Sequence, residues 1–435
     1  MMKGRRIYRE VLRVLVCLVF LSLSVSPIRA ADPEVEELKR LLQQVMEENR
    51  RLAQRVNELE RRLEAYEKEA EKGEKPVPAE KTWYQRMNLG LSVAGVVHGV
   101  VGADREVLRD EDKGYAATAV DLEAAVEFSE KDRAYLLLEM GSGKNPEDEV
   151  ESFSGIIDES LSMVPVATDD GEVRISEAWY EHDFLWGTSR LRLRAGKIDI
   201  TTDFDTNEYA NDENEQFISP IFINNIAVEW PDYGFGAMLW FESKKVDLGL
   251  GYADANGDWE NIFDYPFLIG QITLRFEPWG RPGNYRFYAW YNGEKHAEIK
   301  GNDENERGYG VGISLDQELL EGVGFFLRYG WQNDEVYPYD QALSGGFSLS
   351  GRFWGRPEDA LGLGAGVAFL SNDYEDMLEA EGVNTADEYH LEIFYRFRVN
   401  DYLRLTPSLE WTDNPAGYED RDDFWVFTLR AFFEF

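Results

Sequence analysis

Between Trp83 and Phe435 apolar and polar residues alternate with a period of two, in segments of about ten residues divided by turns and polar loops. In Leu403–Trp411 one face carries Leu403, Leu405, Pro407, Leu409 and Trp411, and the other Arg404, Thr406, Ser408 and Glu410. In Leu391–Val399 the apolar face is Leu391, Ile393, Tyr395, Phe397 and Val399, with Glu392, Arg396 and Arg398 opposite. The last segment sets Trp425, Phe427, Leu429, Ala431, Phe433 and Phe435 on one face. Segments of this length suit strands that cross a bilayer at a tilt, one face in lipid and the other in water. A soluble sandwich also alternates, but it does not repeat the pattern over some 350 residues with arginine on so many polar faces. The predicted fold class is therefore all-β, a transmembrane antiparallel β-barrel of about 16 strands, which leaves an aqueous lumen.

Ahead of the barrel the pattern changes twice. Residues 1–30 read as a secretory signal peptide: basic Lys3, Arg5, Arg6, Arg9 and Arg13, an apolar run from Val14 to Val25, and a polar exit to Ala30. The run is too short to cross about 30 Å of hydrocarbon as a helix. Residues 32–72 carry an N-terminal α-helical coiled coil: Val35, Leu38, Leu42, Val45, Leu52, Val56, Leu59, Leu63 and Tyr66 form a heptad seam broken only by Asn49. Arg55 with Glu60, and Arg62 with Glu67, fit parallel self-association, and Leu41 and Met46 widen the apolar face in the direction of a homotrimer. A single amphipathic helix lying on the barrel or contacting the cell wall fits the same residues. Gly73, Pro76 and Pro78 end the helix, making residues 73–82 a linker and residues 83–435 the barrel domain.

Charge narrows the partners. The chain carries −38, and loss of residues 1–30, with six Lys or Arg and one Glu, leaves −43. Such a chain has no affinity for nucleic acid; its expected partners are outer-membrane lipid and small hydrophilic solutes. The single cysteine, Cys17, lies in the leader, so the exported form has no thiol chemistry. His98, His182, His296 and His390 form no helical metal pair, and there is no Ser-centred nucleophile motif, so no catalysis and no cofactor are expected. Asp254, Asn256 and Asp258 alternate as oxygen ligands do in a calcium loop, but the later Gly and Glu of that motif are absent, and a polar turn is the default reading.

The stretch LRLRAGKIDITTDFDTNEYANDENEQFISPIFINNIAVEWPDYGFGAML from Leu191 resembles the central signature of the OprB-like carbohydrate-selective porins, with G-K-x-D, F-D-T-N, A-N-D-E, Q-F and N-N in order. GNYRFYAWYN at Gly283–Asn292, VGISLDQELLEGVGFFLRYGW at Val311–Trp331, ALGLGAGVAFLS at Ala360–Ser371 and EIFYRFRVNDYLRLTPSLEWTDNPAG are similar to the same family. The terminal Phe435 resembles the assembly signal of outer-membrane barrels. The resemblance covers the barrel and not the coil. It implies a wide outer-membrane channel, narrowed by inward loops, that passes sugars or similar solutes by diffusion. Channels for ions or metal chelates, and an envelope tether anchored by the barrel, are the alternatives.

Candidate lumen residues follow from parity. Arg190, Arg192 and Arg194 alternate with Leu191, Leu193 and Ala195, so leucines in lipid set the arginines on the lumen wall. Lys197 and Asp199 are expected to extend this ladder towards the acidic loop with Asp203, Asp205 and Asn207. Opposed charges across a pore make a transverse field and offer hydrogen bonds to sugar hydroxyls. A structural ion-pair network holding the loop to the wall uses the same residues. Arg286 and Trp290, with Tyr288 between them, are read as facing the lumen, where a ring can stack on sugar C–H groups.

Overall fold

The computed structural model describes residues 83–103, 114–144, 152–155, 173–301 and 305–435, with Arg61 and Pro146 as isolated positions. The chain divides into two units, Met1–Glu80 and Lys81–Phe435. The signal peptide, coiled coil and linker expected in residues 1–82 lie outside the described residues, Arg61 apart. The second unit is a closed barrel of sixteen strands, each antiparallel to its neighbours in sequence. They are β1 (Met87–Val101), β2 (Gly114–Glu127), β3 (Asp132–Gly143), β4 (Arg174–Trp186), β5 (Ser189–Ile198), β6 (Gly234–Glu242), β7 (Val246–Asp254) and β8 (Pro266–Phe276) in the first half. The second half holds β9 (Gly283–His296), β10 (Glu306–Leu320), β11 (Val323–Gln332), β12 (Tyr339–Ser350), β13 (Ala360–Leu370), β14 (Glu388–Arg398), β15 (Leu403–Asp413) and β16 (Phe424–Glu434). One rim has tight turns such as residues 187–188 and 321–322; the other has long connections, of which residues 199–233 matter most below.

Burial follows the alternation with the usual sense of inside and outside reversed. On β16 Trp425, Phe427 and Leu429 are exposed, while Phe424, Val426, Thr428 and Arg430 between them are buried. Register joins the outward residues into one apolar surface, with Trp411 opposite Trp425, Leu409 opposite Phe427 and Pro407 opposite Leu429. The most deeply buried large side chains include two arginines, Arg328 and Arg430, whereas Leu250 is 62% exposed. A protein that hides arginine and shows leucine is built for a lipid exterior and a polar interior. Closure occurs where the chain ends. The Phe435 N–H donates to the Leu91 carbonyl at 2.9 Å, and the Phe435 ring stacks on Tyr402 with centroids 5.7 Å apart. The terminal phenylalanine thus completes the β1–β16 seam.

Leu193 sits on the outward face of β5 and is exposed. A charge near the bilayer midplane costs about 2–4 kcal/mol on such a face. Leu193→Arg is therefore expected to lower the yield of heat-modifiable, folded barrel on unboiled gels, while Leu193→Ile assembles like the parent. Equal assembly of the two variants would mean that this face does not meet lipid.

Candidate functional site

The connection between β5 and β6, residues 199–233, enters the barrel and crosses it. It leaves the wall at β5 and is held by side chains of β9–β11 and then of β14 and β16, on the far side of the ring. At its centre is the buried pair Asp205–Arg328. Arg328, from the inward face of β11, donates from Nε to Asp205 Oδ2 at 2.9 Å and from Nη2 to the Asp205 carbonyl at 3.0 Å. Its Nη1 donates to the carbonyls of Ala210 and Phe222, each at 2.6 Å, and Nη2 also reaches Asn211 Oδ1 at 3.1 Å. Asp205 accepts in addition from the Asn225 N–H at 2.7 Å and the Tyr288 hydroxyl at 2.8 Å. Neither residue of the pair has measurable exposure. Burial pushes the Asp205 carboxyl up from its ordinary range, and Arg328 is the first of the groups that oppose this. The Asp205 backbone is left-handed, with φ of 58°, a conformation that Asp tolerates better than most side chains.

Further contacts fix the rest of the crossing. Asn207 Nδ2 donates to Ser314 Oγ at 3.2 Å and to the Leu315 carbonyl at 2.9 Å, and Arg286 pairs with Asp316 at 2.5 Å just below. Across the barrel, Glu392 of β14 accepts the N–H groups of Ile218 and Ser219 at 3.1 and 3.0 Å. Arg430 of β16 donates to the carbonyls of Glu213 and Gln216. Glu215 takes Arg396 at 2.6 Å and Arg404 at 2.7 Å. A short helix, α1 (Pro220–Ile223), and the residues just before it pack Phe217, Ile221 and Phe222 on Phe326 and Phe394 of the wall. The wall makes room by omitting side chains: a Cβ at Gly366 of β13 would lie 2.6 Å from Ile221, and one at Gly364 2.9 Å from Phe217 and Phe222.

The arginine ladder meets the near end of this segment. Arg192 and Arg194 share Asp203 of the connection and Glu181 of β4, and Arg192 also pairs with Glu242 of β6 at 3.1 Å. Arg190 pairs with Asp183 and Glu242. The side chains of Arg192 and Arg194 keep 12% and 11% of their surface, so the network leaves each a narrow accessible edge. Arg194 also stands 4.0 Å above the ring of Trp179, which stacks on Tyr135 at 5.2 Å. Inward positions that keep accessible surface include Asp121, Glu123, Tyr135 and Trp179 on β2–β4, opposite the strands the connection covers.

Several expected lumen residues are placed differently. Lys197 has the outward parity: it lies opposite the exposed Ala178, and its Nζ donates to the Ile175 carbonyl. The step from Arg194 to Lys197 is odd, which turns the side chain through the sheet. Asp199 ends the strand by accepting from Thr201 N–H and Oγ1 at 2.8 and 2.7 Å. Trp290 and Arg286 do point inward, yet they are 3% and 8% exposed; Trp290 packs in an apolar cluster with Phe204, Phe267 and Trp240, leaving no ring face for a solute. Asp205 and Asn207 are buried too, within the connection itself and against the wall. Sequence reasoning gave Arg328, Glu392, Arg430 and Asn225 no part in holding the connection, although Glu392 was read on a polar strand face and Asn225 within the N-N motif. The signal for the first and third is a lone arginine inside an apolar strand, GFFLRYGW and FTLRAFF, which must point inward and be paired.

A family model described as carbohydrate-selective porin, OprB family, matches residues 105–435. An uncharacterized protein of Aquifex aeolicus is 30% identical over 226 residues, covering 52% of this chain and 60% of that protein. Porin B of Pseudomonas aeruginosa is 23% identical over 176 residues, 33% of this chain and 39% of the relative, so the chain spans less than two thirds of the length of either relative. Among solved structures, Pseudomonas putida OprB at high pH aligns with a TM-score of 0.68 at 17% identity, covering 80% of this chain and 94% of that one. Its low-pH structure aligns with a TM-score of 0.51 at 16% identity, over 80% and 92%. These likenesses establish the fold.

Removing one partner of a buried pair costs about 3–5 kcal/mol, because the other charge stays buried alone. Arg328→Met is thus expected to free the connection, so that protease cuts within residues 199–233 of an otherwise folded barrel. Combining it with Asp205→Asn, which keeps the left-handed backbone and removes the stranded charge, is expected to restore part of the protection. Protection of Arg328→Met equal to the parent would show that the pair does not hold the connection.

Proposed function

The chain belongs to the OprB family of carbohydrate-selective porins, and from that premise we propose that it is an outer-membrane channel for the passive diffusion of carbohydrates and similar small hydrophilic solutes. The family and fold are those of channels rather than enzymes. The observation that carries the reading is the connection of residues 199–233 clamped across the interior, which narrows a wide barrel to a charged passage. The accessible inner wall of β2–β4 offers what a sugar needs. Asp121 and Glu123 accept hydroxyl hydrogen bonds, the Arg192 and Arg194 edges donate them, and Tyr135, stacked on Trp179, presents its outer ring face to C–H groups. Shallow contacts of this kind orient a solute without retaining it, as diffusion requires.

Charge sets a mild ion preference. The ladder arginines are matched by Glu181, Asp183, Asp203 and Glu242, whereas Glu123 has no arginine opposite it. A slight preference for cations is therefore expected.

Planar-bilayer recording with salts of unequal ion mobility, with and without sugars, tests the proposal. Slight cation preference with current block by sugars is expected; strong ion selectivity with no sugar block would favour an ion or metal-chelate channel instead. Arg194→Ala removes a fixed fork of donors from the passage. It is expected to raise cation preference and weaken sugar block, and unchanged behaviour in folded protein would make that arginine purely structural.

A further inference from the structure

We propose that the loop following β7 is a calcium site built around Asp254. Asp254 is the last residue of β7 and has the outward parity of Leu248 and Leu250, so it stands at the long-loop rim on the outer side of the barrel. The loop folds back over it. The Tyr252 hydroxyl donates to the Ile262 carbonyl, and the Tyr252 and Phe263 rings approach to 5.7 Å. Asp254 is left with no solvent exposure, and neither of its carboxylate oxygens has a hydrogen-bond partner among the described residues. The Trp259 backbone N–H acts on the carboxylate as a donor without meeting the geometry of a full hydrogen bond.

A buried carboxylate with no partner is among the costliest groups a protein can hold, and a bound cation is one of the few things that satisfies it. The surroundings favour a cation over a neighbouring base. The segment DANGDWENIFD holds Asp254, Asp258, Glu260 and Asp264 and has no Lys or Arg. The charges that act on Asp254 are those of Asp258 and Asp264, both negative. Asp254, Asn256 and Asp258 have the one-three-five spacing of oxygen ligands in calcium loops. In the fold that spacing becomes a curl: the Gly257 N–H returns to the Asp254 carbonyl at 3.3 Å, and Asn256 Nδ2 holds Asp258 Oδ2 at 3.0 Å. Calcium accepts six to eight oxygens in loose geometry, so the Asp254 and Asp258 carboxylates, loop carbonyls and water suffice without the terminal Glu of the longer motif. Magnesium demands a stricter octahedron and fits this loop less well.

The test uses the full exported chain, folded in detergent and stripped with chelator. Calorimetric titration with calcium chloride is expected to give one tight equivalent in the wild type, none in Asp254→Asn, and one in Glu335→Gln, which alters the separate acidic trio Glu298, Glu306 and Glu335. Terbium supplies a second reading, because its emission is sensitised by a nearby indole: Trp259→Phe is expected to dim the emission while calcium binding persists. Heat-modifiable migration confirms that each variant is folded. No stoichiometric binding in the wild type, retention of the tight site in Asp254→Asn, or its loss in Glu335→Gln would each overturn the proposal.

Discussion

The interior of this barrel is organised around one buried ion pair. Asp205 and Arg328 stand 123 residues apart in the chain, and their contact decides where some thirty-five residues of connection come to rest. An arginine buried on a strand must find acceptors, and Arg328 finds them in two carbonyls and a side chain beyond Asp205 itself. Such a pair contributes little net stability, because desolvation offsets much of its attraction. Its effect is on uniqueness: any other path of the connection strands both charges. The apolar contacts of Phe217, Ile221 and Phe222 then fill space that the pair has already assigned.

The barrel makes this arrangement workable. Lipid outside claims the apolar face of every strand, so the inward face is free to be polar, and the connection inherits a wall rich in donors and acceptors. Glu392 and Arg430 on the far side serve as a second pair of fasteners, each used on backbone groups that a loop exposes and a strand would not. The result is an interior divided between a packed side, from β6 to β16, and a stretch of β2–β4 where Asp121, Glu123, Tyr135 and Trp179 keep accessible surface. The division follows from which wall offers anchors.

The strands were legible in the sequence because period two is imposed by geometry and enforced by lipid. The rows ending in Phe435 and the leucine-out parity of β5 need only local pattern, and the count of sixteen needs in addition that such barrels close with an even number of strands. Parity also set Arg192, Arg194, Arg286 and Trp290 inward. What parity does not contain is depth or cover. Trp290 points inward and is sealed by Phe204 and Phe267, and nothing near it in sequence announces that cover. Lys197 failed for a simpler reason, an odd step along a strand. Asp205 was visible as a loop acid, but its partner lies on the sixth strand after it, and pairing at that distance is set by closure of the barrel.

The direct measure of this account is the permeability of the barrel with its crossing segment removed. Residues 205–227, replaced by a short Gly-Ser linker, lose the hydrogen bonds and ion pairs to β11, β14 and β16, the Asp205–Arg328 pair included, while leaving the strands and the β5 ladder in place. Liposome-swelling rates for a series of sugars of rising size are then compared with those of the parent. If the clamped connection sets the width of the passage, the variant admits larger oligosaccharides at rates the parent reaches only for small sugars. Equal rates across the series, in folded protein, would place the constriction elsewhere and contradict the account.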